Sequence, residues 1–303
     1  MKKVTVFGSF NLDMSSRVDH FPKPGETMIG LDFETGPGGK GCNQAIAAKR
    51  AGADVVFATK VGKDSFAKLA RGICEKEGLD LSYMYEDDTL PTGSAYILLE
   101  EASRQNMIVV NKGACSNFRP EDMAELEALF AQTDILLMQL ETNLDSVETA
   151  AVTAKKAGAL VVLNPAPAAK LSPETYKYID IITPNETEAE ILTGIKVDSE
   201  ESAAGAAEKL KALGVRQVVI TLGSKGAYVD DGSSSAMIPC KKVQAVDTTG
   251  AGDTFNGAMV ASLAEGKNLF DAAAFGCAAA TLSVTKRGAA MSAPMLEDIV
   301  KFI

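Results

Sequence analysis

Short apolar runs alternate along most of the chain with longer segments of helical periodicity. The runs are apolar almost continuously, as strands buried on both faces of a sheet are, and they fall at 4–8, 55–62, 135–140, 160–164, 179–183 and 217–223. The helical patterns lie near 40–51, 64–77, 120–132, 144–157, 186–193 and 200–213. This alternation predicts an α/β fold in which helices cover a mostly parallel central sheet.

Two stretches interrupt the alternation. Residues 14–36 and 93–112 have strand-like alternation, and the first contains a Pro-Gly turn, but neither has a helical pattern. We expect them to form a small antiparallel sheet inserted into a single domain that spans 1–303. Such a sheet beside an α/β core could act as a lid over a site, or as a dimer contact through an exposed apolar face.

Composition narrows the functional classes. The 303 residues are 46% hydrophobic and 23% charged, which is typical of a soluble globular protein with a sizeable core. A formal net charge of −10 argues against a general nucleic-acid or anionic-membrane binder. It leaves room for a locally positive pocket that binds a phosphorylated ligand.

The cysteine and histidine content narrows them further. Five scattered cysteines without a C-x-x-C pair indicate reduced thiols, and no apolar run approaches the roughly 18 residues of a membrane span. The apolar run that ends at Gly8 is too short for a signal peptide, so a cytoplasmic location is expected. Because His20 is the only histidine, Ser-His-Asp hydrolysis and histidine metal centres are disfavoured.

The stretch "AVDTTGAGDTFNGAM" (245–259) places two glycines and an acid at the start of a helical pattern. Gly250 and Gly252 would leave N–H groups unpaired where a helix begins near Ala251, and such groups stabilise a phosphate or a developing negative charge. Asp253 could accept a proton from a hydroxyl that attacks this phosphate. The alternative is that Asp253 only caps the helix.

A second glycine cluster, "GPGGKGCNQAIAAKRAG" (36–52), also precedes a helical pattern. It has neither the spacing of a Walker loop nor the G-x-G-x-x-G fingerprint of a dinucleotide site. The glycines would let a small ligand approach the backbone closely, with Asn43 supplying donors and acceptors. A tight turn would explain the same glycines.

Polar residues follow several predicted strands. Asn11 and Asp13 come after the first strand, Glu141 after another, and Asn185 and Glu188 after a third. The loop "LGSKG" follows a fourth strand. Asn and Asp are also common turn formers, but ligands of open α/β sheets bind at the carboxyl ends of the strands. We therefore expect a ligand site at this edge of the sheet.

Taken together, these motifs resemble those of the ribokinase-like (phosphofructokinase-B type) sugar kinases. "DTTGAGDTFNGA" and "GPGGKGCNQA" are similar to the two signature regions of the family, and "GSFNLD", "PKPGET", "MQLE", "LNPAPA", "TPNETEAE" and "TLGSKG" follow in family order over essentially the whole chain. The resemblance implies a three-layer α/β sandwich with a small β lid. It also implies phosphorylation of a sugar's primary 5-hydroxyl by ATP, with D-ribose as the favoured acceptor and ribose 5-phosphate as the product.

The resemblance also implies roles for individual residues. The catalytic group comprises Asp253 as base and the anion-hole amides of Gly250, Ala251 and Gly252. The sugar-binding set comprises Asn11, Asp13, Gly39, Lys40, Asn43, Glu141 and Asp253. The nucleotide-binding set comprises Asn185, Thr221, Gly223, Ser224, Gly226, Gly252 and Cys277. Glu188 corresponds to a magnesium position that acts through water. The counterparts of a monovalent-cation site, usually potassium, are Asp247, Thr249, Ser283, Lys286, Gly288 and Ser292.

The implied cofactors are Mg²⁺ and K⁺, with ATP as co-substrate, and the implied assembly is a homodimer through the lid. Cys277 departs from the family pattern, because relatives often have a polar residue such as histidine there. Three alternatives stay open from the sequence: a kinase for 2-deoxyribose, another sugar or a nucleoside; a sugar or nucleotide sensor on a kinase scaffold; and a nicotinamide dehydrogenase, which lacks its fingerprint.

Overall fold

The structure, a computed structural model, describes residues 2–103 and 105–303. Its strands are β1 (Lys3–Phe7), β2 (Asn11–Val18), β3 (Glu34–Gly38), β4 (Asp54–Gly62), β5 (Met84–Asp87), β6 (Gly93–Glu100), β7 (Asn106–Asn111), β8 (Ile135–Met138), β9 (Leu160–Leu163), β10 (Ile181–Ile182), β11 (Gln217–Thr221), β12 (Ala227–Asp230) and β13 (Ser235–Ile238). Its helices are α1 (Lys40–Arg50), α2 (Ser65–Lys76), α3 (Pro120–Phe130), α4 (Leu144–Lys156), α5 (Glu186–Thr193), α6 (Glu200–Ala212), α7 (Ala251–Ala264), α8 (Leu269–Ser283) and α9 (Leu296–Phe302).

A nine-stranded sheet forms the centre of the molecule, in the order β13-β12-β11-β10-β9-β8-β1-β4-β5. The strands from β5 to β11 in this order pair in parallel, and β12 and β13 add an antiparallel hairpin at one edge. The predicted α/β fold with a mostly parallel sheet is therefore confirmed. The parallel strands bring their carboxyl ends to one edge, where the ligand site was expected.

Two hydrophobic cores lie on opposite faces of this sheet. In β1, Val4 and Val6 belong to one core and Phe7 to the other, as the two-residue period of a strand requires. The first core includes residues of α1, α2, α7, α8 and α9, and the second includes residues of α3, α4, α5 and α6. The result is a three-layer arrangement of helices, sheet and helices.

The second sheet has four strands in the order β3-β2-β6-β7. The pairs β2–β3 and β6–β7 are antiparallel, as expected, whereas the central pair β2–β6 is parallel over eight residue pairs. The antiparallel pairs β2–β3 and β6–β7 each join strands that follow one another in the sequence. The parallel pair joins β2 to β6, which begins about 80 residues later in the chain. β2 begins at Asn11, so Asn11 and Asp13 lie on a strand and are not the turn residues of the alternative interpretation.

Most of the predicted elements form within one to three residues of their expected ends, but β5, β12, β13, α8 and α9 were not anticipated. The segment "DDGSSS" (230–235) includes the turn of the β12–β13 hairpin. α8 and α9 complete the first core. No helix within 2–103 and 105–303 has the length and apolarity needed to cross a bilayer.

Candidate active site

A polar cleft opens at the carboxyl ends of β9, β10 and β11, where the amino end of α7 points toward it. Its walls come from α1, the loops after these strands, the start of α5 and the first two turns of α7. The lining residues are Lys40, Asn164, Ala166, Asn185, Glu188, Thr221, Thr248, Gly250, Ala251, Gly252, Asp253 and Asn256. Segments that are distant in sequence therefore meet at the edge predicted for a ligand site.

The carboxylate of Asp253 lies in this cleft and is held from both sides. Its Oδ2 accepts a hydrogen bond from Nδ2 of Asn43 at 2.9 Å, and its Oδ1 accepts one from Nε2 of Gln44, also at 2.9 Å. The residue is 7% exposed. Within the described residues its carboxylate accepts hydrogen bonds from Asn43 and Gln44 and none from α7, whose N-cap is Gly250, so helix capping does not account for Asp253.

The close approach of α1 to α7 brings these side chains together. A β-carbon on Gly257 of α7 would lie 2.5 Å from the carbonyl oxygen of Gln44 and 2.7 Å from the β-carbon of Ala47. Glycine at position 257 is therefore required by space, because a larger residue would separate the two helices. The separation of α1 and α7 sets the distance between Asp253 and its two amide donors.

The amides at the start of α7 differ in their bonding. Gly250 adopts a left-handed conformation with φ of 73° before the helix, and the N–H of Ala251 donates to the carbonyl of Thr248 at 3.3 Å. The N–H groups of Gly250 and Gly252 have no hydrogen-bond partner in the described part of the chain. Two of the three amides expected for an anion hole are therefore unbonded, and that of Ala251 makes one long bond.

Next to Asp253 lies a group of residues suited to binding a polyhydroxylated ligand. Glu141 accepts hydrogen bonds through Oε2 from Oγ of Ser9 at 2.5 Å and from the backbone N–H of Lys40 at 2.8 Å. The buried Oδ1 atoms of Asn11 and Asn43 have no partner among residues 2–103 and 105–303. Buried amide oxygens without partners are costly, and hydroxyl groups of a ligand would satisfy them.

Asp13 faces the same region and is electrostatically unusual. Its burial, followed by the nearby charges of Glu141 and Asp253, raises its pKa from 3.8 to about 7. Gly38 and Gly39 lie beside this region, and Gly39 has φ of 84° at the start of α1. The backbone at Gly38 therefore approaches the Asp13 carboxylate with no side chain between them.

Lys40 supplies positive charge to this cleft. The charge of Asp253, opposed by burial and assisted by Glu141 and Glu188, raises the pKa of the Lys40 ammonium. The side chain is therefore a cation within a set of carboxylates, and it lines the cleft together with the amino end of α7. A phosphate group would find complementary charge there.

Asn185 and Glu188 begin α5 and line the cleft. They form a capping box, in which Oδ1 of Asn185 accepts from the N–H of Glu188 at 2.8 Å and Oε2 of Glu188 accepts from the N–H of Asn185 at 2.9 Å. Burial raises the pKa of Glu188, although the bond from Asn185 and the charge of Lys40 oppose this effect. Asn185 and Glu188 therefore cap α5 and also line the cleft.

The loop after β11 contains the residues expected at the nucleotide. Thr221 ends the strand, and Gly223 and Ser224 form a short 3-10 turn. Gly226 has φ of 107°, and a β-carbon there would lie 1.9 Å from the carbonyl oxygen of Ile238. The loop is therefore folded tightly against the end of β13.

Cys277 lies on α8 near the same end of β13. Its Sγ lies 4.0 Å from the carbonyl oxygen of Ile238, and Sγ of Cys240 lies 3.9 Å from the carbonyl oxygen of Cys277. A hydrogen bond between the two thiols lowers the pKa of Cys240 and raises that of Cys277. Cys277, the residue that departs from the family pattern, therefore lies beside a second cysteine.

The residues expected at a monovalent cation surround the turn before α7. Oδ1 of Asp247 accepts from the N–H and hydroxyl of Thr249 at 2.9 and 2.7 Å, and its Oδ2 accepts from the N–H of Gly288 at 3.0 Å. Burial opposes ionisation of Asp247, but these hydrogen bonds lower its pKa. The hydroxyls of Ser283 and Ser292 donate to the carbonyls of Ala280 and Ala289 at 2.9 and 2.8 Å.

Backbone oxygens are the candidate ligands at that turn. The carbonyls of Thr249, Lys286 and Gly288 accept no hydrogen bond within the described ranges. Those ranges also contain no cluster of three or more His, Cys, Asp or Glu side chains that could hold a metal ion. A cation there would be bound mainly by carbonyl oxygens.

Sequence reasoning missed several polar residues that surround Asp253. Gln44, Gln139 and Asn164 form a buried hydrogen-bonded group behind it, and Ser9 orients Glu141. Each occupies an ordinary helix, loop or strand-end position in the sequence. Only their position inside the quoted motifs could have indicated a role.

Comparison with known proteins gives one consistent result. A sequence model of the family described as pfkB family carbohydrate kinase matches residues 1–296. The chain is 48% identical over 302 residues to the ribokinase of Haemophilus influenzae, which covers 100% of this chain and 98% of the relative. It is 34% identical over 301 residues to the deoxyribokinase of Salmonella typhi, with coverage of 99% and 98%.

The fold agrees with a solved structure. The ribokinase of Arabidopsis thaliana, solved with ribose and ATP, superposes with a TM-score of 0.91 at 33% identity, over 99% of this chain and 98% of the other. The expected three-layer α/β fold is thereby confirmed by a full-length structural match.

Proposed function

The chain belongs to the pfkB family of carbohydrate kinases, and we propose that it transfers the γ-phosphoryl group of ATP to the 5-hydroxyl of D-ribose, giving ribose 5-phosphate. The observation that carries this proposal is the carboxylate of Asp253. It is held by Asn43 and Gln44 beside the unbonded amides of Gly250 and Gly252. A base and an anion site thus lie side by side, as transfer to an alcohol requires.

In the proposed mechanism Asp253 accepts the proton of the sugar hydroxyl as its oxygen attacks the γ-phosphorus in line. The amides of Gly250 and Gly252, with the dipole of α7, stabilise the charge that develops on the transferring group. The amide of Ala251 joins them if its 3.3 Å bond to Thr248 yields. The ammonium of Lys40 contributes further positive charge.

The sugar would be held by the residues beside Asp253. Asn11, Asp13, Asn43 and Glu141 provide acceptors and donors for its hydroxyl groups, while the backbone of Gly39 and the charge of Lys40 complete the proposed set. The free Oδ1 atoms of Asn11 and Asn43 support this assignment, because a ligand would supply the hydrogen bonds they lack.

The nucleotide would lie along the loop after β11. Thr221, Gly223, Ser224 and Gly226 would contact it from one side and Cys277 from the adenine side. Asn185 would contact its phosphates. The position of Thr221 supports this assignment, because Thr221 lines the cleft at the point where the loop leaves β11.

Mg²⁺ and K⁺ would complete the site. Carboxylate and carbonyl oxygens suit both ions, and Glu188 and the free carbonyls near Asp247 provide them. Magnesium, when bound with ATP, would neutralise phosphate charge, with Glu188 acting through water. The proposed potassium set comprises Asp247, Thr249, Ser283, Lys286, Gly288 and Ser292, which would fix the turn before α7.

The small sheet would serve two further purposes. As an insertion into one domain it would cover the sugar and exclude water, and its exposed face would join two copies of the chain. Asn11 and Asp13 on β2 support the first purpose, because the sheet itself supplies sugar-binding side chains.

A kinase for 2-deoxyribose is the second candidate, favoured by the 34% identity to a deoxyribokinase. The two sugars differ by one hydroxyl, and a site built to bind that hydroxyl rejects the analogue strongly. A kinase for another sugar or a nucleoside would bind a different acceptor in the same cleft. A sensor would bind its ligand there without phosphoryl transfer.

An ATP-consumption assay with ribose, 2-deoxyribose, fructose and adenosine, with and without potassium, tests these assignments. We expect the highest kcat/KM with ribose and a further rise with potassium. Equal or better turnover of another acceptor would overturn the choice of sugar. Asp253→Asn should retain sugar binding and lose most turnover, whereas wild-type turnover in that variant would remove Asp253 from the mechanism.

A further inference from the structure

Gln44 lies at the centre of a buried polar network behind Asp253. Its side chain is fully buried, and Nε2 donates to Oδ1 of Asp253 at 2.9 Å and to Oδ1 of Asn164 at 3.0 Å. Its Oε1 accepts from Nε2 of Gln139 at 2.7 Å. Both amide protons and the amide oxygen of Gln44 are therefore engaged.

These bonds fix the direction of the carboxamide. If the amide turned over, its oxygen would face the carboxylate of Asp253 and the oxygen of Asn164, and both contacts would become repulsive. In a water-poor interior such a loss is expensive, so the observed orientation is strongly preferred. Gln44 therefore presents a permanent donor to Oδ1 of Asp253.

The same hydrogen-bond network also extends from Asn164 to the backbone of Gly252 at the start of α7. Nδ2 of Asn164 donates to the carbonyl of Thr183 at 2.9 Å, and Oγ1 of Thr183 donates to Oδ1 of Asn256 at 2.6 Å. Nδ2 of Asn256 then donates to the carbonyl of Gly252 at 2.8 Å. The network thus connects the carboxylate of Asp253 with the peptide that precedes it.

We propose that Gln44 is the positioning residue of the catalytic base: its amide holds Oδ1 of Asp253 and thereby fixes the carboxylate relative to the unbonded amides at the start of α7. The inference rests on the proposed role of Asp253 as base. Asn43 holds Oδ2, but its own Oδ1 is buried without a partner among the described residues, so a bound ligand would change the contacts of this side chain. Gln44 has no such second partner in the cleft, so it is the constant support.

A purely structural role would give different results. Gln44 could simply satisfy buried polar groups where α1 meets the sheet, and its loss would then lower stability without a specific effect on turnover. A positioning role requires an effect on kcat at nearly constant KM, because a misplaced base weakens the transition state more than substrate binding.

The test uses two substitutions in the full chain, with kcat, both KM values, the kcat–pH profile and Tm as readouts. Gln44→Met keeps the length of the side chain but removes the donor, and we expect kcat to fall by about 100-fold with little change in KM. Gln44→Glu places a carboxylate against Asp253. The pair would share a proton, so the acid limb of the kcat profile should move up by about one pH unit or more.

Gln217→Glu is the matched control. Gln217 also donates through Nε2, to the carbonyl of Asp231 at 3.2 Å, but lies at the far end of β11 from the cleft. We expect its kcat and pH profile to stay at wild-type values. Wild-type kcat in Gln44→Met, or an unshifted acid limb in Gln44→Glu, would overturn the proposal.

Gln139→Met covers the case in which both Gln44 variants fail to fold. It removes the brace on Oε1 of Gln44 without touching Asp253, so kcat should fall less than in Gln44→Met, with KM again little changed. Full kcat in this variant would then overturn the proposal. Asp253→Asn separates the two hypotheses. Wild-type turnover in this variant would contradict the role of Asp253 as base. If Asp253→Asn loses turnover but the Gln44 variants keep wild-type kinetics, only the positioning role of Gln44 is contradicted.

Discussion

A β-carbon on Gly38 would lie 2.1 Å from Oδ1 of Asp13. The two residues lie on the neighbouring strands β3 and β2, and Gly38 has no positive φ, so space and not backbone conformation requires the glycine. The obstructed atoms belong to the free end of a side chain. An alanine at 38 would therefore move the Asp13 carboxylate and leave the strands in place.

Gly38→Ala should raise the KM for the sugar by about tenfold or more, because a displaced carboxylate loses a charged hydrogen bond worth about 1.5–3 kcal/mol. The KM for ATP and the Tm should change little. Steady-state kinetics and thermal unfolding check this. Gly36→Ala on the same strand is the control, since a β-carbon there has no neighbour within 4 Å. Equal sugar KM values in the two variants would refute the prediction.

The raised pKa of Asp13 predicts a pH-dependent loss of stability in the sugar-free protein. Its ordinary value is 3.8 and its folded value is about 7, so between these pH values the folded state binds the extra proton. Stability contributed by Asp13 is therefore lost as pH rises through this window. Relative to Asp13→Asn, the wild-type Tm should fall from about pH 4 to about pH 7 and then level off. If the Tm of the wild type and that of Asp13→Asn changed with pH in the same way, the raised pKa of Asp13 would be contradicted.

Cys240 should be the most reactive thiol. It is half-buried while Cys42, Cys74, Cys115 and Cys277 are buried, and a hydrogen bond with the thiol of Cys277 lowers its pKa. Iodoacetamide at neutral pH should modify position 240 first, and ATP should slow the reaction because the thiol lies beside the proposed adenine site. Peptide mapping by mass spectrometry checks this, with Cys240→Ser as the blocked variant. First labelling of Cys115 would contradict it.

The proposed dimer through the small sheet rests on its exposed apolar side chains. Met107, Ile108 and Val109 on β7 are 54%, 50% and 62% exposed. Ile108→Asp should convert a dimer to a monomer in light scattering at micromolar concentration. Ile191→Asp, at an isoleucine that is also 50% exposed but on α5, should remain dimeric. A monomeric wild type would end the dimer proposal, and a dimeric Ile108→Asp would place the interface elsewhere.

Local patterns were sufficient to predict the layers of the fold and the ends of most elements. They failed at α8, whose sequence "LFDAAAFGCAAATLS" is apolar on nearly all sides and so lacks the stripe that marks an amphipathic helix. They failed at β5, where four residues carry too little alternation to distinguish a strand.

The site residues that lie in short sequence motifs could be predicted, whereas those whose role depends on long-range contacts could not. The glycines around Asp253 indicated an anion site because glycine before a helix has a local meaning. Gln44 carries no such local signal. Its contacts with Gln139 and Asp253 cross 95 and 209 residues, and only the folded chain brings them together.

The meeting of α1 with α7 also has a consequence for synthesis. Asp253 and the two amides that hold it come from positions 209 and 210 residues apart. Because translation proceeds from the amino end, this centre can assemble only after the ribosome has released α7, more than 200 residues after α1. Growing chains and fragments that lack either helix would therefore not consume ATP.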